Sequence, residues 1–243
     1  MNRSLSAKLL AITGASFAFC MPAEAADLEG GPYRATPPPP VYSWNGVYFG
    51  ANFGGVFTVE KPKVDAGFLG TPATFNSNPV GALGGLQLGY NLQLGPQWLI
   101  GIEGEADWTS SQFTSNINNT IQAGTLTSNQ NWFDTLDGRL GYIMGPVLLY
   151  AKGGGAWMNA KYTFGAQGAV NGVSEIKANH AGWTVGGGLE AFIMPNWSAK
   201  LEYDFLDFGR TSYFVPIYGA TAAFHTEAHE VKVGINYHWA YGY

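Results

Sequence analysis

The 243-residue chain has little charge, a single cysteine and no long apolar run. Charged residues make up 12% of it, about half the ~25% usual in soluble domains. Yet aromatics reach 15%, which excludes disorder over most of the length. Acidic residues outnumber basic ones, 17 to 12. A net negative chain repels phosphate, so no nucleic-acid partner is expected. The want of long apolar runs excludes a bundle of membrane-spanning helices. The cysteine, Cys20, falls within the first 25 residues, so a mature chain cut after them has no disulfide to rely on. What the chain has in excess is glycine, 34 residues, while its mean hydropathy is −0.02. It is poor in charge without being greasy.

Residues 1–25 read as a secretory signal peptide. Arg3 and Lys8 form a basic start, Leu9 to Met21 a short apolar stretch, and Ala23-Glu24-Ala25 a cleavage site. The apolar stretch is too short for a transmembrane anchor. Phe17 and Phe19 before Cys20 do not suit a lipoprotein site. Residues 26–43, with Pro37 to Pro40 in a row, read as a periplasmic linker. Residues 44–243 form the main domain.

From Trp44 onward the dominant pattern has period two, the signature of half-buried strands. Val80 to Leu94 sets Val80, Leu86, Leu88, Tyr90 and Leu92 against Gly81, Gly85, Gln87, Gly89 and Asn91. Gly46 to Phe57, Trp98 to Trp108, Trp132 to Met144, Val147 to Trp157, Ala181 to Ile193, Trp197 to Phe205 and Glu230 to Trp239 behave alike. In Trp132 to Met144, Asp134 is the exception on the apolar face. That makes eight strands. Gly95-Pro96-Gln97, Gly145-Pro146 and Pro195-Asn196 are tight turns. Residues 58–79, 109–130, 159–179 and 207–224 read as long loops. The sum is an all-β, eight-stranded antiparallel up-and-down barrel whose edges close on each other.

Three features turn the apolar face toward lipid. Aromatics bound the apolar faces: Trp98 with Trp108 and Trp132 with Tyr142, joined by Trp183, Trp197, Tyr237 and Trp239. Ten tilted residues span roughly 25 Å, the height of an outer-membrane apolar band, and ring edges favour its interfaces. Glycine crowds the other face, as a narrow lumen needs. Charge keeps to that face as well: Glu103, Glu105, Asp107, Asp137, Glu190, Glu202, Asp204 and Glu230 with Arg139, Lys152, Lys200 and Lys232. Such a set can pair in a water-poor lumen, where lone charges are costly. Lys232 to Trp239 also resembles the C-terminal signal read by the barrel-assembly machinery, although Ala240 to Tyr243 extend beyond it.

Trp44-Asn45-Gly46-Val47-Tyr48-Phe49-Gly50, Asp137 to Tyr142, Gly182 to Glu190 and Asn196 to Tyr203 resemble the alphaproteobacterial outer-membrane β-barrel family. Its members are often labelled outer-membrane immunogenic or porin-family proteins, akin in architecture to the OmpA and OmpX barrels. The resemblance runs from Trp44 to Trp239. It implies an abundant surface barrel in the outer membrane of a Gram-negative bacterium, with adhesin, immune-evasion or haemin-binding roles in some members. It carries over no catalytic residue.

The expected function is that of a surface barrel with a structural or interaction role, bound by outer-membrane lipid and by an extracellular partner met through the long loops. The alternatives are a small cation-leaning porin, or a haemin-binding barrel using His180, His225 and His229. His180 falls on the inward set and the other two on the outward set, so the three do not converge. No catalytic residue, cofactor or metal site is expected. Asp207, Glu227 and Ser212 lie near the histidines in sequence, but nothing marks a nucleophile held by a base. The runs Gly153-Gly154-Gly155 and Gly186-Gly187-Gly188 are not phosphate loops, because no helix follows them.

Overall fold

The computed structural model describes residues 42–60, 63–64, 73–74, 79–118, 122–168, 172–216 and 219–239. The expected signal peptide, nearly all of the expected linker and the extension Ala240 to Tyr243 lie outside them. No helix among the described residues is long and apolar enough to cross a membrane.

The described chain is one closed antiparallel sheet. Its eight staves are β1 (Gly46–Glu60), β4 (Val80–Gln93), β5 (Trp98–Thr109), β7 (Gln122–Met144), β8 (Val147–Gly168), β9 (Gly172–Met194), β10 (Trp197–Val215) and β11 (Ala220–Trp239). Each pairs with the next, and β1 pairs with β11 to close the ring from Val47↔Trp239 to Glu60↔Thr226. Closure leaves no unpaired edge among the staves. Three short strands lie off the ring: β2 (Lys63–Val64), β3 (Ala73–Thr74) and β6 (Gln112–Asn118). The three expected tight turns are present. Gly145 (φ 63°) and Asn196 (φ 68°) adopt the left-handed conformation that such turns need.

In three of the four expected long loops, 109–130, 159–179 and 207–224, the chain mostly continues as strand. Within 159–179, β8 runs on to Gly168 and β9 begins at Gly172. Within 207–224, β10 continues to Val215 and β11 starts at Ala220. Within 109–130, β6 forms a hairpin with the upper part of β7. Of 58–79, β1 takes the first residues, β2 and β3 four more, and the remainder lies largely outside the described residues. The expectation failed because the polarity of the wall inverts along its height. Below the ring of Trp108, Trp132, Trp157 and Trp183 the outward face is apolar. Above it the inward face is: Ala156, Met158, Ala160, Tyr162 and Phe164 of β8 are all completely buried. Their outward neighbours are polar, and Asn131, Asn159 and Asn179 form a hydrogen-bonded ladder across three staves. Alternation persists through the boundary, but its sign changes as the outside changes from apolar to wet.

Of three register shifts among the described staves, one lies at the tight-turn end of β9 and β10, between Trp197 and Ser198, and two near the upper girdle adjust the phase. In β7 the register slips between Gln130 and Trp132, so Asn131 and Trp132 both face outward. In β10 it slips between Asp207 and Arg210, where Gly209 has φ 63°. A bulge of this kind re-aims side chains without breaking the sheet.

Candidate functional site

The lumen is filled in three layers. At the tight-turn end, Trp44, Leu99, Ile143, Leu148 and Tyr150 form a buried apolar cluster. Trp44 comes from the segment before β1 and packs on Phe192, with ring centroids 4.4 Å apart. Its indole donates to the carbonyl of Gly145 at 3.4 Å. Tyr42, at the end of the expected linker, stacks on the same Phe192.

The middle layer holds all twelve charged residues read from the sequence, eight acids and four bases, each buried. Lys152 is the hub, with Nζ 2.9 Å from Glu105, 3.0 Å from Glu202, 3.3 Å from Asp204, 3.4 Å from Glu103 and 3.6 Å from Asp137. Lys200 approaches Glu105 at 2.7 Å and Glu202 at 3.2 Å. Lys232 lies 2.6 Å from Glu105, 2.8 Å from Asp204 and 3.3 Å from both Asp107 and Glu230. Arg139 donates to Glu190 at 2.5 Å and lies over the Tyr150 ring at 3.6 Å. Oxygens of Glu103, Glu105 and Glu202 come close enough together to hold a metal ion, but Lys152 and Lys200 both reach all three carboxylates. Buried charges are tolerable only when paired and hydrogen-bonded, and here ammonium groups do the pairing.

Uncharged residues that the charge pattern did not single out complete the layer. Tyr48 donates to Glu103 at 2.6 Å and Tyr150 to Glu202 at 2.5 Å. Ser198 and Asn236 donate to Glu190, and His238 stands 3.1 Å from it. Asn52 donates to Gln87 and Asp107, and Gln87 donates to Asn236. Their signal in the sequence was parity alone, since each alternates with an outward apolar residue. The inward glycines make room. A Cβ on Gly85 would stand 1.8 Å from Asp107 Oδ1, and one on Gly89 would stand 2.2 Å from the Tyr48 ring.

The top layer is an apolar core that includes Val56, Leu83, Leu126, Phe133, Tyr162, Phe164, Phe208 and Phe224. His180 is buried within it, with Nε2 3.3 Å from the Tyr162 hydroxyl and the Tyr213 ring 6.0 Å away. Burial holds its pKa below the ordinary histidine value.

The outer wall carries the interface aromatics. Trp98, Trp108, Trp183, Trp197 and Trp239 are exposed, while Trp132, Tyr142 and Tyr237 are half-buried and face outward. Trp98 packs edge-on against Tyr142 and Trp197 against Tyr237 at the tight-turn end. Trp108 and Trp132 are register partners at the other end. Trp157, absent from the expected set, joins that upper ring as an exposed outward residue. His225 and His229 also face outward, so the three histidines occupy two sides of the wall, as their parity requires.

A closed ring of eight staves, apolar outside between two aromatic girdles and charged inside, defines a transmembrane β-barrel of the outer-membrane type. The chain belongs to the outer membrane protein beta-barrel domain family, whose model matches residues 11–239. It is therefore an outer-membrane protein, and the match reaches further than the Trp44 to Trp239 resemblance. The chain is similar to the 31 kDa outer-membrane immunogenic protein of Brucella melitensis, 30% identical over 90% of this chain and 94% of that one. It is also similar to the 22 kDa outer membrane protein of Rhizobium leguminosarum, 29% identical over 63% of this chain and 71% of the relative. Among solved structures, the outer membrane protease OmpT from Escherichia coli matches with TM-score 0.51 at 10% identity, covering 80% of this chain and 97% of that one. At that identity the likeness is one of fold alone.

Proposed function

We propose that the chain is a non-enzymatic structural and surface-interaction barrel, held in outer-membrane lipid, that presents a tall polar wall outside the cell to an extracellular partner. One observation carries this reading: staves β7 to β11 continue well past the upper aromatic ring with a largely polar exterior and an apolar interior. A wall built this way is a rigid display surface. Relatives named immunogenic proteins fit a barrel whose upper part is reached from outside. Lys232 to Trp239, the last stave to be made, is the segment that the barrel-assembly machinery would read.

The test is fractionation followed by protease treatment of intact cells. Cleavage confined to the hairpins above the upper girdle, in outer-membrane fractions, is the expected result. Recovery of the intact mature chain in the soluble periplasm would sink the proposal. The porin alternative has little support, because charged residues packed between two apolar layers leave side chains where a channel would run. Planar bilayers holding the refolded barrel should stay silent. Steady ohmic steps altered by Glu103→Gln would reverse that judgement. A haemin site built on all three histidines has no geometric support, since His180 lies on the opposite side of the wall from His225 and His229.

A further inference from the structure

The lipid-facing wall has one residue out of place. Among the described residues that face outward between the two girdles, Asp134 of β7 is the only Asp, Glu, Lys or Arg. It breaks the apolar row of Trp132 to Met144. It stands one outward position below Trp132 on its own stave, opposite Ala106 of β5 and Trp157 of β8. That places it at the rim of the hydrocarbon layer, directly under the upper girdle. A carboxylate facing lipid costs free energy, less near an interface than at the midplane, and such a residue calls for a partner.

The barrel supplies none. No hydrogen bond or ion pair from a described residue reaches the Asp134 carboxylate, although its side chain is half-buried. The four luminal bases are buried on the other face of the wall among eight acids. A second copy of the barrel does not fit either. A two-fold contact centred here would set two unpaired carboxylates against each other.

The wall below Asp134 is apolar and shallow. Gly138, on the same face of β7 four residues further down, lines a hollow of about 460 Å³ with Ile100, Leu140 and Ala151. Four strand residues span about 14 Å. One leaflet of a hydrocarbon core about 30 Å thick has nearly that depth. The carboxylate and the hollow are therefore spaced as the head of a lipid and the lower part of its chain. A primary ammonium is a compact charge with three N–H donors, and it bonds a carboxylate strongly where water is scarce. A quaternary ammonium has no N–H to donate.

We infer that Asp134 binds the primary-amine head of an outer-leaflet lipid whose acyl chain runs down β7 to the hollow at Gly138. The site rests on the barrel lying in outer-membrane lipid.

The test uses the untagged barrel refolded in non-ionic detergent. It is mixed with equal amounts of phosphatidylethanolamine and phosphatidylcholine of identical acyl chains. Native mass spectrometry reads the lipid retained by each chain. The parent should keep one phosphatidylethanolamine, in about tenfold preference over phosphatidylcholine. In Asp134→Asn and Asp134→Leu the ratio should fall close to one. Asp207→Asn, which changes an outward carboxylate above the girdle, should keep the parent's preference. The heat-dependent gel shift of folded barrels certifies each variant. A parent ratio near one overturns the site. So does a preference that survives both Asp134 variants, or one lost equally in Asp207→Asn. Because binding is read on the refolded barrel, such a failure leaves the fractionation result untouched.

Discussion

Glycine at position 85 is dictated by what stands opposite it. A Cβ there would meet Asp107 Oδ1 at 1.8 Å and the Ala106 carbonyl at 2.4 Å, so neither a side-chain rotation nor a small backbone shift relieves the clash. Gly104 faces outward, and its nearest contact would be 3.8 Å away. Gly85→Val should therefore cost about 3 kcal/mol or more, seen as a lowered urea midpoint of the refolded barrel. Gly104→Ala should leave that midpoint nearly unchanged. Equal effects would refute a lumen limited by space. His180 supplies a second prediction at this scale. Burial lowers its pKa, so above about pH 6.5 it is neutral both folded and unfolded. As pH falls through that value the unfolded chain takes up the proton first, and stability is lost. Urea midpoints measured between about pH 7.5 and 5 should fall more steeply for the parent than for His180→Phe. Parallel slopes would contradict a buried, neutral His180.

Staves β7 to β11 each have two zones, and this division governs which part of them can fail alone. The lower zone is held by the ladder and by lipid on its apolar face. The upper zone is held by the ladder and its own apolar core, where Tyr162 and Phe224 stack at 4.2 Å. Phe224→Ala removes a completely shielded ring, a change that costs about 3–5 kcal/mol. The loss belongs to the upper zone. Hydrogen exchange should rise in β8 to β11 above Trp157 and Trp183, while the lower zone stays protected and the gel shift persists. Uniform loss of protection in both zones would show one cooperative unit instead. The parity of each stave was legible from single residues, because successive side chains must alternate across the sheet. The reach of the staves was not. Ala160, Tyr162 and Phe164 alternate with Lys161 and Thr163, but the apolar set had switched sides, and Ser, Thr, Asn and Gly read locally as loop. The two bulges hid the continuity further by shifting the phase in mid-strand.

In the whole molecule, four bases stabilise eight acids inside a closed wall. Lys152 approaches five carboxylates, so its removal leaves buried negative charge without compensation. Lys152→Met should cost about 3–5 kcal/mol, and Glu105→Gln in the same chain should restore part of that loss. A double variant no more stable than the single one would mean that the network is not coupled in this way. The urea midpoints of the four chains in the cycle provide the measurement.

The sequence by itself determined the strand periodicity, the segregation of charge to one face, the aromatic rows and the tight turns. All of these follow from near-neighbour geometry, where a residue's face is settled by counting along the chain. Only the tertiary structure decided which charges meet, since Lys232 of β11 and Glu105 of β5 are brought together by ring closure and not by spacing. It also decided how far the staves rise. These depend on register between strands, which hydrogen bonding across the closed sheet sets.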